Sequence, residues 1–216
     1  MKLYQKILKR IFDIAVSFAG IVVLWPFALL IAAIVKVSSK GPVLYSQNRV
    51  GQYGKPFVCH KFRTMYIGAD RFWSVTTGTD KRVTPVGRIL RQYKIDEFPQ
   101  LWNVFIGKMS FVGPRPDVPG YADMLTGDDR RILELRPGIT GPASLCFRNE
   151  EELLAHADDP KQYNDTVLWP AKVAINIDYC NTWSFWKDIG YIMVTVLPVV
   201  DRILHIIPRV EPDKIS

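Results

Sequence analysis

The sequence predicts a mixed α/β domain seated at a membrane by its N-terminal segment. Three observations carry that expectation. No residue from Ile14 to Val35 is charged. A strand–turn–strand pattern follows between Val43 and Met65. Beyond it, short helical patterns alternate with Pro- and Gly-rich turns, as in one compact mixed domain. At 216 residues, 48% of them hydrophobic and 23% charged, the chain can build such a core and is no disordered polymer.

The uncharged run is long enough to cross a hydrocarbon core of roughly 30 Å. Lys2, Lys6, Lys9 and Arg10 precede it; Lys36, Lys40, Arg49 and Lys55 follow it. Basic flanks favour the cytoplasmic side. A spanning helix meets that preference at one end, a re-entrant hairpin at both. Pro26 lies mid-run, where proline deletes a backbone donor and kinks a helix. Both arrangements fit the residues.

Val43–Ser46 reads as a strand, 51–54 as a turn and Phe57–Met65 as a second strand, together a small β-hairpin. Lys61 and Arg63, two apart, are expected on one strand face. Residues 68–84 read as a polar surface loop. Val86–Tyr93 is a short basic helix carrying Arg88 and Arg91. Asp96 reads as the N-cap of a helix with Pro99 in its first turn, Gln100–Ile106 as its body and Gly107 past its end. Asp128–Leu135 and Glu150–Ala157 read as short helices, with a glycine loop at 136–141 between them. Val167–Tyr179 reads as a longer helix interrupted by Pro170. The stretch 183–200, rich in aromatic and aliphatic residues, reads as core or as a helix lying in the membrane interface.

A net charge of +7 favours phosphate-bearing partners: nucleotides, nucleic acid or an anionic membrane. Cys59, Cys146 and Cys180 form no CxxC, and His60, His156 and His205 form no HxxxH. A zinc site and a disulfide framework are therefore not expected, and a reducing compartment fits. The phosphate loops GxxxxGK[ST] and GxGxxG, the nucleophile elbow GxSxG and the nucleic-acid-binding signatures are absent from the sequence. What the chain does have is Asp96-Glu97 at a helix start, with Arg88 and Arg91 upstream and Arg115 downstream between two prolines. Phosphoryl transfer needs a nucleophile, positive charge against the phosphate oxygens and usually Mg2+. The flanking prolines stiffen the backbone that presents Arg115.

The run Lys94-Ile95-Asp96-Glu97-Phe98-Pro99-Gln100-Leu101-Trp102-Asn103-Val104-Phe105-Ile106-Gly107-Lys108-Met109-Ser110-Phe111-Val112-Gly113-Pro114-Arg115-Pro116 resembles the core signature of the monotopic phosphoglycosyl transferases, or bacterial sugar transferases. Other pieces match in the same order: Lys9-Arg10-Ile11-Phe12-Asp13, Gln47-Asn48-Arg49-Val50-Gly51, Lys61-Phe62-Arg63-Thr64-Met65 and Arg136-Pro137-Gly138-Ile139-Thr140-Gly141. The resemblance spans roughly residues 6 to 190.

The resemblance implies a compact monotopic membrane domain of mixed α/β class. Residues 1–40 would be a re-entrant hairpin broken at Pro26, and 41–216 a catalytic domain with interfacial helices on the cytoplasmic face of a bacterial inner membrane. It implies Asp96 as nucleophile toward a UDP-sugar, a covalent phosphosugar–aspartate with release of UMP, and passage of the phosphosugar to polyprenyl phosphate. Glu97 would partner Asp96, the two helping to hold Mg2+. Lys61, Arg88 and Arg115 would contact phosphate or nucleotide. Arg136 and Arg148 fall on or beside the matching glycine loop, and Asp178 matches a late acidic position; all three join the expected binding set. Membrane lipid is an expected partner, nucleic acid is not, and a homodimer stays open. Where many members continue the glycine loop with Trp-Ala-Gln, this chain runs on as Pro142-Ala143-Ser144 toward Arg148-Asn149, so donor choice is not carried over. Two rivals remain: a membrane-tethered binding protein without activity, and a basic nucleic-acid-binding domain.

Overall fold

The computed structural model describes residues 2–68, 81–199, 201 and 205–208. The loop expected at 68–84 falls mostly on residues outside that set. Its two ends are held together by an antiparallel bridge between Met65 and Val83.

Helix α1, Leu3–Ser38, runs 36 residues with Pro26 inside it. At 1.5 Å per residue it is about 54 Å long. It is long and apolar enough to cross a membrane, and only 6% of its most apolar 18-residue window is buried. The family resemblance implies a hairpin broken at Pro26; the helix instead runs unbroken through Pro26 from Leu3 to Ser38. A stripe at helical spacing faces the rest of the chain on both sides of the proline. Asp13, Ser17 and Val35 are buried, Gly20 lies against Leu101, and Ala28 and Ile31 pack with Phe62 and Leu90. Losing one backbone hydrogen bond at Pro26 does not separate helix halves that dock on the same body.

The N-terminal end of α1 is fastened by the residues Lys9 to Asp13. Lys9 pairs with the buried Asp188. Arg10 donates to the carbonyls of Val104 and Phe105, both at 2.7 Å. Phe12 meets Phe111 and Phe185 edge-on. Asp13 accepts from Ser110 Oγ and the Phe111 N–H, both at 3.1 Å. Lys9 and Arg10 are thus engaged inside the protein, which weakens their use as evidence of membrane-surface charge. At the other end Arg63 donates to Val35 O, Ser39 O and Ser39 Oγ, closing the helix C-terminus.

Strands β1 (Leu44–Val50) and β2 (Pro56–Phe62) form the antiparallel hairpin, in register from Leu44 with Phe62 to Val50 with Pro56. Directly opposed residues share a face. Tyr45, Gln47 and Arg49 therefore stand on the same side as Lys61, Cys59 and Phe57. β2 ends at Phe62, short of Met65. Arg63 N–H still donates to Val43 O at 2.9 Å, one step beyond the named register, while its guanidinium serves α1 and Lys61 serves Glu97.

Helix α2 (Pro85–Gln92) is capped by Thr84, whose Oγ1 accepts from the Gly87 N–H at 2.9 Å. Helix α3 is Gln100–Phe105. Strands β3 (Ser110–Val112) and β4 (Gly138–Thr140) pair in parallel. Between them, Gly127–Glu134 is a 3₁₀ segment where an α-helix was expected. Short helices α4 (Pro142–Cys146), α5 (Glu150–His156) and α6 (Pro160–Tyr163) follow. Helix α7 (Trp169–Thr182) is entered without a gap from a π-helical turn, Asn164–Leu168; regular α-helix starts just before Pro170, where the wider turn accommodates a residue that lacks a donor. Helix α8 (Phe185–Val196) has two characters. Tyr191 and Val194 pack in the main core with Val112, Leu145, Tyr179 and Trp183, while Trp186, Met193 and Val196 are exposed.

Candidate active site

Two loops cross backbone to backbone to present Arg115. Gly113 N–H donates to Thr140 O at 2.9 Å, and Gly138 N–H to Pro114 O at 2.8 Å. The contact is so close that a Cβ on Gly138 would lie 2.2 Å from Gly113 N. Only glycine allows that approach. From the other side Val50 N–H donates to Asp117 O at 2.9 Å. Arg115 is thereby held between two fixed backbone segments.

Asp96 and Glu97 lie in a tight 3₁₀ turn, Ile95–Glu97, entered through Lys94 at φ 56°. Asp96 is therefore not the N-cap of α3, as expected; Pro99 holds that position. Both carboxylates are buried. Glu97 Oε1 accepts from Lys61 Nζ at 2.7 Å and from Arg115 at 3.3 Å. Burial pushes Glu97 up, but Arg115, Lys61 and the Lys61 hydrogen bond outweigh it and hold its pKa at about 2. Asp96 has no such pair. Burial raises its pKa, Lys61 opposes the rise and Glu97 adds to it. Its Oδ1 is buried with no hydrogen-bond partner. Lys61 is pulled down by burial and by Arg115, against the lift from Glu97. Glu97 is thus a fixed anion ordering two cations, and Asp96 a carboxylate with an unengaged oxygen beside them. That division suits attack on a phosphate.

The sequence matches the profile described as bacterial sugar transferase over residues 4–202. The chain belongs to the bacterial sugar transferase family. A sugar transferase of Bacillus subtilis strain 168, named EpsL and called uncharacterized, is 34% identical over 194 residues, which cover 90% of this chain and 88% of that protein. A UDP-glucose:undecaprenyl-phosphate glucose-1-phosphate transferase of Caulobacter vibrioides is 37% identical over 193 residues, 87% of this chain and 68% of that one. An Escherichia coli K12 protein of the same name is 34% identical over 201 residues, 89% of this chain but 40% of the relative. This bacterial sugar transferase is an enzyme of the phosphoglycosyl transferase type.

The other expected site residues of the transferase divide sharply. Lys61 and Arg115 converge on Glu97. Arg88 is exposed on α2. Arg91, one turn on, is the nearer cation: it donates to Thr64 Oγ1 at 3.0 Å, and its charge acts on Asp96. Arg136 donates to Gly107 O at 2.9 Å, past the end of α3. Arg148 donates to Val194 O at 3.2 Å on α8. Asp178 is exposed on α7, accepting from Thr182 one turn away. The structure does not bring Arg136, Arg148 or Asp178 to Asp96 and Glu97. Arg136 and Arg148 each satisfy a backbone carbonyl.

Among the described residues no group of three or more His, Cys, Asp or Glu could hold a metal. Mg2+ does not require one, since it binds through one or two carboxylates plus substrate phosphates. The free Asp96 Oδ1 beside Glu97 fits that mode.

Proposed function

We propose that this transferase moves a sugar 1-phosphate from a UDP-sugar to a polyprenyl phosphate at the membrane, through Asp96. The observation that carries the reading is the buried, unpartnered Asp96 Oδ1 next to a glutamate already committed to Lys61 and Arg115. The names of the relatives point to undecaprenyl phosphate as acceptor and to UDP-glucose as the first donor to test.

In the first step an Asp96 oxygen bonds to the sugar-bearing phosphorus. The bond from that phosphorus to the bridging oxygen breaks, and UMP leaves with the electron pair. In the second step a phosphate oxygen of the polyprenyl phosphate attacks the same phosphorus and Asp96 is freed as a carboxylate. Asp96 must be ionised to attack, and the positive charge of Lys61 favours that form. Lys61 and Arg115, ordered by Glu97, face the developing negative charge without reorganising. Mg2+, when bound at Asp96 and Glu97, would supply further charge neutralisation at the phosphate oxygens.

The proposal also seats α1 as a re-entrant element, both ends on the cytoplasmic face of the bacterial inner membrane, because both ends dock on the same domain. Labelling of an N-terminal tag from the periplasmic side would sink that placement. The chemistry is tested by UMP release from a panel of UDP-sugars with undecaprenyl phosphate and Mg2+, comparing wild type with Asp96→Asn. Loss of about 10⁴-fold or more is expected on removing a nucleophile. With sugar-labelled donor and no acceptor, wild type should retain label on the protein and Asp96→Asn should not. Near-wild-type turnover by Asp96→Asn would overturn the mechanism.

A further inference from the structure

The segment Gln47 to Gly51 resembles the family yet has no role in the chemistry above. Its arginine has an unusual setting. Arg49 stands on the hairpin face that also carries Lys61. Its guanidinium donates to Pro116 O at 3.0 Å and to Gln47 Oε1 at 2.7 Å. Both acceptors are neutral. Among the described residues no carboxylate lies within ion-pair distance of it. Asp117 acts on it only from farther off, and Arg115, next to the carbonyl Arg49 holds, repels it. Lys172, the other cation near Asp117, is already paired with Glu150 at 2.6 Å.

Arg49 is half-buried and bound only by neutral acceptors, and the carbonyl it holds belongs to the residue next to Arg115, whose own partner is Glu97; like charges brought this near favour an anion shared between them. Guanidinium is also the group best matched to phosphate oxygens. We propose that Arg49 and Arg115 form a second phosphate subsite, beside the Asp96 and Lys61 position where the reacting phosphorus sits. The inference rests on the proposed transfer reaction, which brings two phosphate sources to this place. One is the phosphate of the departing nucleotide; the other is the phosphate of the lipid acceptor. Arg49 serves either by the same bidentate chemistry, and its hold on Pro116 keeps Arg115 aimed at the same anion.

The test compares full-length wild type, Arg49→Gln and Arg49→Lys in a membrane mimic. Binding of UMP and of uridine is measured by titration calorimetry, and the apparent KM for undecaprenyl phosphate by turnover. If the nucleotide phosphate is the occupant, Arg49→Gln weakens UMP about 10- to 100-fold, in the range of a charge-assisted hydrogen bond, leaves uridine unchanged, and Arg49→Lys recovers some of the loss. If the lipid phosphate is the occupant, UMP binding holds while the acceptor KM rises by a similar factor. Equal loss for UMP and uridine, or no change in UMP binding and acceptor KM together, overturns the subsite and leaves Arg49 a clamp on Pro116. Failure of the Asp96 mechanism would show separately, as turnover by Asp96→Asn with its UMP binding intact.

Discussion

Replacing Lys61 by Met removes the closer of the two cations on Glu97 while keeping the length of the side chain. Glu97 falls from 4.5 to about 2 in the folded protein. At 1.36 kcal/mol per unit that is about 3 kcal/mol of net interaction favouring the ionised form. The sign follows from the depressed value. This stabilisation is complete above about pH 4.5 and is lost as pH falls toward 2. Burial alone pushes Glu97 upward, so with Arg115 as its one remaining close partner its pKa should climb toward the ordinary range or past it. Asp96 also loses the charge that most opposes its own rise. Arg115 contributes more to the depression of Glu97 than the Lys61 charge does, and burial penalises Lys61 itself. Lys61→Met should therefore lower stability at pH 7 by only part of that interaction, on the order of 1 kcal/mol, and move the acidic limb of kcat/KM toward neutrality. Chemical denaturation at pH 7 and a pH–rate profile of UMP release read the two effects. An unchanged acidic limb in a folded variant would refute the idea that Lys61 sets the charge state of the carboxylate pair.

Gly138→Ala places a methyl group 2.2 Å from Gly113 N and should cost about 1–3 kcal/mol, with a fall in kcat as Arg115 shifts; a wild-type Tm and kcat would contradict the crossing-loop account. Asp13→Ala strands the Phe111 N–H and Ser110 Oγ and should cost about 2–3 kcal/mol in thermal stability measured in detergent. Asp117, pushed to about 6 by burial against the pull of Lys172, Arg49 and Arg115, and raised further by Glu150, favours the proton in the folded state. The folded protein is therefore penalised as pH rises through about 6. Asp117→Asn should raise stability by on the order of 2 kcal/mol at pH 8 and give no gain near pH 4; equal shifts at both would show that the carboxylate does not titrate as described.

The hairpin, α2 and the helix after Pro99 were legible in the sequence through period and turn chemistry; Lys61 and Arg115 were singled out through the family resemblance as phosphate contacts, and their meeting on Glu97 was not foreseen. The sequence misplaced Asp96 at a helix cap, since a 3₁₀ turn and an α-helical first turn look alike in residue type. Arg88 and Arg91 were both legible as basic residues of α2; that Arg91 bonds Thr64 while Arg88 faces outward depends on the helix rotation, which packing decides. Arg136 and Arg148 looked like anion binders, but arginine also closes backbone carbonyls, and which carbonyls lie within reach depends on a parallel β3–β4 pairing joined over a long stretch of chain. Arg49 was legible as a basic residue; its place beside Arg115 required the register of β1.

The membrane segment is also a structural member of the catalytic domain. Asp188, the end of α3, the Phe111 N–H and the Arg63 guanidinium all find their partners on residues 9 to 39. A chain lacking that stretch would leave the Phe111 N–H and the Arg63 guanidinium without these partners, and Asp188 with Tyr179 and Trp183 but no cation. The fold around the catalytic residues then depends on this apolar helix being in place, and a form deleted for residues 1–40 should be protease-sensitive. Resistance of a form deleted for residues 1–40 to limited proteolysis would argue against that coupling. Under the proposed transfer, that dependence would tie the assembly of the surroundings of Asp96 to the very segment that seats the enzyme beside its lipid acceptor.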